Sequence, residues 1–344
     1  MTPAAGRPTF SVISGAQVRT VLDGTAKDLI DLVERTYRTH AAGGTVNPDS
    51  YFLRFPDRPA ERIIALPASV GGDVDVHGIK WISSFPGNVA DGLPRASAVV
   101  ILNDTRTGYP FACLESSIIS ASRTAASAAL AAAAIADRRG PRPTRVGYVG
   151  TGLIARYVHT YLRAAGFSFE EIGLHDKQPA AHEGFAGFLR RTGDSAVRQY
   201  ESSEDLLRAS DLIVFATVAG EPHVHDRALF DHAPLVLHLS LRDLAPAVIR
   251  GAVNVVDDVE HCLKAGTSLH LTQEQDGNRD FVAGTLVEVL DGVVEPVASR
   301  PVIFSPFGLG VLDLAVARFV YDRIAAAGEL TAVPDFFVEL SRHG

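Results

Sequence analysis

Three cations of this 344-residue chain sit in apolar company: Arg54 within YFLRF, Lys80 within GIKWIS and Arg123 within SIISASRTAAS. A cation with no counter-charge costs several kcal/mol to desolvate, so each needs water or an anion. Converging on one cleft they would bind carboxylates, the arginines through a bidentate fork. Taken singly, the plainer reading of each is an edge-strand charge that faces solvent or pairs with Asp or Glu. Asp243, in HLSLRDLAPA, follows the apolar segment Leu235 to Leu241. If that segment is a sheet strand, the carboxylate lies just past its carboxyl end, where open α/β sheets place ligands, and could act as a base or orient water. Capping a helix over Leu244 to Ile249 is the alternative. His223 and His225, in EPHVHD, have an i, i+2 spacing that could ligate a metal, but no further ligand pattern joins them, so no metal site is expected. His238 reads as a packed strand residue and Trp81 as a core or cleft-wall aromatic. Nothing resembles a G-x-S-x-G or Cys-His nucleophile.

Such groups need a frame, and the clearest runs from Thr144 to Asp176. Val146 to Val149 is a short apolar strand, after which Gly150, Gly152 and Ala155 fall on the G-x-G-x-x-G/A spacing that begins a helix. Gly150 permits the tight turn, Gly152 lets backbone approach a pyrophosphate, and Ala155 allows close packing of helix on strand. The helix N-terminus offers N–H groups and positive potential to the phosphates. A second strand, Ile172 to His175, ends at Asp176. An acid there can accept from the adenosine ribose hydroxyls and would repel a 2′-phosphate, which favours NAD over NADP; Lys177 argues weakly the other way. Alone, the glycine spacing is an ordinary turn, but strand, helix, second strand and terminal acid in order read as a dinucleotide site.

The rest of the chain falls into place around this unit. Phe10 to Ile13 reads as a strand, Ser14 as an N-cap, and Thr25 to Ala42 as an amphipathic helix closed by Gly43 and Gly44. The periodicity then changes to two: Tyr51 to Phe55, Arg62 to Ala68, Val76 to Ile82, Ala96 to Asn103 and Pro110 to Leu114 read as strands of a mostly β module. Ser116 or Ser117 could cap a helix running to Asp137, and the segment 138–143, RRGPRP, reads as a domain boundary. Beyond Asp176, a helix near Ala180 to Arg191 and apolar segments at 197–200, 211–216, 235–241 and 254–256 imply a parallel, doubly wound sheet. The expected architecture is therefore α/β: a Rossmann-type domain over 141–303, and a mostly β substrate-binding domain over 1–137 that is completed by 306–344 through an apolar helix, Val311 to Ala326.

Composition narrows the function classes. With 47% hydrophobic and 21% charged residues the chain reads as globular, and a net charge of -8 without a basic run argues against a nucleic-acid surface. Cys113 and Cys262 are far apart, which suits a reducing cytoplasm and no disulfide framework. The start, MTPAAGRPTF, lacks a signal-peptide pattern, and the run Ala125 to Ala136 is too short and Ala-rich to suggest a membrane span.

Several motifs together carry a family resemblance. GIKWISSFP (Gly78 to Pro86), RASAVVILND with TGYPFACLE (Arg95 to Glu115), SRTAAS (Ser122 to Ser127) and GTGLIA resemble the ornithine cyclodeaminase and mu-crystallin family over nearly the whole chain. RIIALPASVGG, GIKWISS and RASAVVILND resemble a narrower group within it, the NAD-dependent N-(2-amino-2-carboxyethyl)-L-glutamate dehydrogenases, which make L-2,3-diaminopropionate for siderophores and peptide antibiotics. The resemblance implies a cytoplasmic homodimer that binds NAD, with the β module supplying substrate contacts and the subunit interface. It places Arg54, Lys80 and Arg123 at carboxylate-binding positions, Arg123 also close to the cofactor, and Asp243 at the catalytic aspartate. Thr217, Leu153 and Ile154 match cofactor contacts, and Arg95 is assigned to a second substrate carboxylate. Two departures weaken ornithine as substrate: IALP at Ile64 to Pro67 replaces the stretch where the cyclodeaminases carry a glutamate, and Ala247 stands where they carry a lysine. A cyclodeaminase, a ketimine reductase and a mu-crystallin-like binding protein remain the alternatives.

Overall fold

The structure, a computed structural model, describes residues 8–338. The chain divides into two compact units, Met1–Arg123 with Leu309–Gly344, and Thr124–Gly308. The division falls inside one helix, Ser117–Arg139, upstream of the Pro-Gly segment.

The first unit is built on β1 (Ser11–Ile13), β2 (Thr45–Val46), β3 (Tyr51–Phe55), β4 (Arg58–Val70), β5 (Val76–Ser84), β6 (Ala96–Asn103) and β7 (Pro110–Glu115). With the short strand Thr331–Ala332 these form one sheet in the order Thr331–Ala332, β1, β7, β6, β5, β4, β2, with β3 also paired to β4. The period of two decides which residues reach the core. On β4 Leu66, Ala68 and Val70 are buried and the residues between them are less so. That buried face is covered by the helices Ala26–Ala41 and Gly310–Ala326. The second of these is buried over its whole first half, every residue from Gly310 to Ala317 including Asp313, while its second half carries the exposed Asp322 and Arg323. Gly78 makes room for it: a Cβ there would lie 2.2 Å from the Ile101 carbonyl oxygen and 3.0 Å from Leu314. At the other end of the unit Ser14 caps its helix through a reciprocal capping box with Gln17.

The helix Ser117–Arg139 is capped differently from the sequence expectation. The Glu115 carboxylate accepts from the Ser117 and Ile118 N–H groups, at 2.7 and 3.4 Å, whereas the Ser116 hydroxyl is buried without a partner. By length and composition this helix could cross a bilayer, but 67% of its most apolar window is buried within the protein, the usual state of a core helix.

The second unit carries β8 (Arg145–Val149), β9 (Glu171–His175), β10 (Val197–Gln199), β11 (Leu212–Phe215), β12 (Leu235–His238), β13 (Val253–Val256), β14 (Val282–Thr285) and β15 (Val302–Ser305). Their order is β10-β9-β8-β11-β12-β15-β13-β14, and every pairing is parallel. β11, β12, β13 and β15 are buried along their whole length and show no alternation; β11 is apolar throughout and the others carry one buried polar residue each, His238, Asn254 and Ser305. The order reverses direction between β8 and β11, the switch point at which such sheets bind their ligands. Strand β12 stops at His238, short of the expected Leu241, which has φ +68° and turns the chain aside.

Candidate functional site

At the switch point β8 runs into the glycine turn. Gly150 has φ +89°, and a Cβ there would lie 2.6 Å from the Ala216 carbonyl oxygen just past β11, so close approach of the two strand ends requires glycine. Gly152 is different. A Cβ on it would meet nothing within 4 Å, so the protein leaves open the space on which the helix Leu153–Ala164 opens. Gly152 is the N-cap of that helix and no side chain caps it, so the first-turn N–H groups stay available to an anion. Ala155 is fully buried, as close packing of helix on strand demands, while Leu153 is exposed. Asp176, one residue past β9, accepts from Thr151 N–H at 2.7 Å, Thr151 Oγ1 at 2.9 Å and Gln178 N–H at 2.9 Å. It is thus fixed against the turn with acceptor capacity left over. These residues fit the pyrophosphate and ribose of a dinucleotide.

Past β11 and β12 the chain assembles a polar cluster that the sequence showed only in part. Asp243 is fully buried and does not cap a helix: the next helix, Pro246–Gly251, starts from Ala245 without a side-chain cap. Its Oδ1 accepts from the Thr217 hydroxyl and lies 3.1 Å from His223 Nε2. Its Oδ2 accepts from the Ser240 hydroxyl and lies 3.2 Å from His238 Nε2. Burial by itself would raise the Asp243 carboxyl, but the hydrogen bonds from His223, His238 and Ser240 outweigh it and hold the group ionised, well below the usual carboxylate range. His223 is also tied by its backbone: the N–H groups of His223 and Val224 both donate to the Asp243 carbonyl at 2.9 Å. His238 is no inert core residue, because its Nδ1 lies 3.2 Å from Ser305 Oγ on β15 while Nε2 faces Asp243. His223 was missed as a partner of Asp243 because it lies 20 positions earlier in the chain and is brought alongside by the parallel bridge Val224↔Leu244; Ser240 and His238 are near in sequence, but only the turn after β12 folds their side chains onto the carboxylate. Among the described residues no group of three or more His, Cys, Asp or Glu side chains could hold a metal ion.

The cations of the first unit are placed in two sets on one face of its sheet. Lys80, on β5, is buried with its Nζ 2.6 Å from Asp313 Oδ2, and Arg123 Nε lies 3.1 Å from Asp313 Oδ1. Asp313, on the helix Gly310–Ala326, went unread in the sequence although it is the one acid inside a long apolar helix segment, and buried acids are almost always paired. Burial and the charge of Arg123 lower Lys80 and Asp313 raises it, leaving it at about 8. Arg123 spends only its Nε on Asp313, so its terminal fork remains for another carboxylate.

The second set lies along the same face. Cross-strand register puts Leu66 opposite Lys80, Arg62 opposite Ser84 and Arg54 opposite Arg62. Arg62 therefore stands four residues, roughly 13 Å, along β4 from the Lys80 row. Arg95 reaches the same place from the start of β6, its Nη1 donating to Ser84 Oγ at 3.0 Å. Arg62 is lowered by burial and by Arg54, and Arg95 by burial and by Arg62, the mark of cations crowded without an anion. Among the described residues no carboxylate pairs with Arg54, Arg62 or Arg95. Trp81 belongs to neither set nor to the core: it lies on the opposite face, 42% exposed, in a cross-strand row with Tyr51, Ala65 and Val99.

The profile of the ornithine cyclodeaminase/mu-crystallin family matches residues 15–328. The chain is 28% identical over 308 residues to the alanine dehydrogenase of Archaeoglobus fulgidus, covering 86% of this chain and 90% of that one. It is 26% identical over 303 residues to the N-((2S)-2-amino-2-carboxyethyl)-L-glutamate dehydrogenase of Staphylococcus aureus, covering 86% and 89%. The solved structure of an archaeal alanine dehydrogenase dimer with bound NAD, 23% identical, shares the fold with a TM-score of 0.83 over 96% of this chain and all of the other.

Proposed function

The chain belongs to the ornithine cyclodeaminase/mu-crystallin family, and within that family of NAD(P)-dependent amino-acid enzymes we propose that it oxidatively cleaves N-(2-amino-2-carboxyethyl)-L-glutamate to L-2,3-diaminopropionate and 2-oxoglutarate. The observation that carries this reading is the second set of cations. Lys80 and Arg123, half neutralised by Asp313, suffice for the one carboxylate of a simple amino acid. Arg62 and Arg95, part-buried, would then remain uncompensated, with the exposed Arg54 over the Phe52 ring beside them, and a substrate bearing further carboxylates resolves this.

In this mechanism the turn at Gly150 and Gly152, the amides of Leu153 and Ile154, and Asp176 would hold NAD, with Thr217 as a further contact. Bound there, NAD supplies the acceptor for the Cα hydride of the glutamate moiety. Arg123 and Lys80 fix the reacting amino acid's carboxylate and the arginine set fixes the distal ones, which lowers the barrier by orientation. Asp243 holds the negative charge against which the amine loses its proton, and water then adds to the imine and the C–N bond breaks. The assay is absorbance at 340 nm with NAD and the conjugate, L-alanine and L-ornithine in parallel, and products identified by mass. NADH equal in amount to 2-oxoglutarate from the conjugate is expected. Turnover of alanine in its place, or of ornithine to proline without net NADH, would overturn the substrate assignment.

The exposed row Tyr51, Trp81 and Val99 on the outer face of the first sheet supports a homodimer through that face, since apolar side chains aligned across adjacent strands seldom stay in water. Light scattering on the eluting protein is expected to give twice the chain mass, and Trp81→Glu to shift it toward monomer. An unshifted dimer would move the interface elsewhere.

A further inference from the structure

We infer that His223, and not Asp243, is the group that takes the proton from the substrate amine, and that Asp243 acts as its positioning residue. The inference rests on the dehydrogenase reading above. Three observations lead to it. First, access: Asp243 is fully buried, whereas 32% of the His223 side chain is exposed. Second, engagement: Thr217 and His223 fill Oδ1, while Oδ2 accepts from Ser240 and is closed in by the His238 ring, whose Nε2 also lies 3.2 Å from the Asp243 N–H. Third, the open nitrogen: with Asp243 ionised, His223 Nε2 carries the proton it donates to Oδ1, and Nδ1 is left as an acceptor with no partner among the described residues. His238 cannot take this part, because it is fully buried with both ring nitrogens engaged. His225, two residues along, is exposed and has no contact with Asp243.

The logic is that of a carboxylate fixing the tautomer of an imidazole and stabilising the imidazolium that forms. Here the backbone adds to it, since the His223 and Val224 amides on the Asp243 carbonyl lock ring and carboxylate into one rigid unit. The substrate enters with its secondary amine protonated. One N–H bond breaks and its proton goes to His223 Nδ1, the Cα–H bond breaks with its electron pair leaving as hydride to the dinucleotide, and the remaining pair forms C=N. The product is the iminium, one proton on His223 and one reduced dinucleotide.

The test compares wild type with His223→Gln, whose amide keeps a donor for Asp243 but cannot carry the proton, and with His223→Ala. Both variants should bind NADH as wild type does, with kcat for whichever amino acid the wild type oxidises lowered about 10²–10⁴-fold, KM little changed, and partial recovery of His223→Ala by added imidazole. Variants that keep more than a tenth of wild-type kcat, or that bind NADH normally yet gain nothing from imidazole, would overturn the inference while leaving the dehydrogenase reading intact. A wild type that oxidises no amine would sink that reading instead, and the inference is then decided by the ¹⁵N imidazole spectrum of the NADH-bound enzyme. A protonated Nε2 with a bare Nδ1 on His223 supports it, and a protonated Nδ1 rejects it.

Discussion

Replacing Asp243 by Asn is expected to lower kcat about 10²–10⁴-fold with NADH affinity left nearly unchanged. The substitution conserves volume, so the loss is electrical and directional. Oδ1 of Asp243 faces two donors, Thr217 and His223, and Oδ2 faces the Ser240 hydroxyl and the His238 ring, whose Nε2 accepts from the Asp243 N–H. Turned toward Oδ1 the new amide sets its N–H groups against Thr217 and His223, and turned toward Oδ2 it sets them against Ser240 and leaves His223 without its carboxylate, so the partners must rotate or change tautomer. The charge that would stabilise a protonated His223 is also gone. The dinucleotide-binding turn uses none of these groups except Thr217, whose hydroxyl can keep accepting from the Ala219 N–H at 3.1 Å. Fluorescence titration with NADH beside single-turnover kinetics separates the two effects. A variant that loses NADH binding in step with kcat would make Asp243 a structural post and remove it from the chemistry. If Asp243→Asn and His223→Gln each cost about as much as the pair together, the two act as one unit.

What the sequence made legible is what is local. The fingerprint from Val146 to Asp176 could be read because each of its requirements lies within one turn or one strand of the last, and the structure realises them in that order. The β strands of the first unit were legible through their period of two. β14 and β15 were not, because VAGT has a glycine at its centre and VIFS is four residues behind Ser-Arg-Pro, both too short for any period to declare itself. The same limit governs the sites. Arg54, Lys80 and Arg123 stood out as cations among apolar neighbours, a local signal. Asp313 and Arg62 became visible only through non-local pairing: one across the gap from β5 to the last long helix, the other through antiparallel register with Arg54 and Ser84. Trp81 was misplaced for a related reason, since strand alternation tells that Lys80 and Trp81 face opposite ways but not which face a covering helix will take.

Removing Asp313 has the largest expected effect on stability. Asp313→Ala leaves Lys80 and Arg123 as neighbouring buried cations with no counter-charge, and breaking a buried pair in this way costs about 3–5 kcal/mol. For a domain of this size that is a fall in Tm of roughly 10 °C. The variant has a second signature, because Asp313 raises Lys80 while burial and Arg123 lower it to about 8 from its ordinary 10.5. Between those two values the unfolded chain binds more protons at Lys80 than the folded one. This group's contribution to stability therefore rises with pH through that window, is complete above 10.5 and is lost as pH falls through about 8. Activity runs the other way. A neutral Lys80 no longer attracts a carboxylate, so kcat/KM of the free enzyme should fall as pH rises past about 8. Without Asp313 the opposing influence disappears and the fall should begin at lower pH. A kcat/KM profile in Asp313→Ala that keeps the wild-type alkaline limb would show that Lys80 is not the group titrating, and that the carboxylate is held by Arg123 and the arginine set alone.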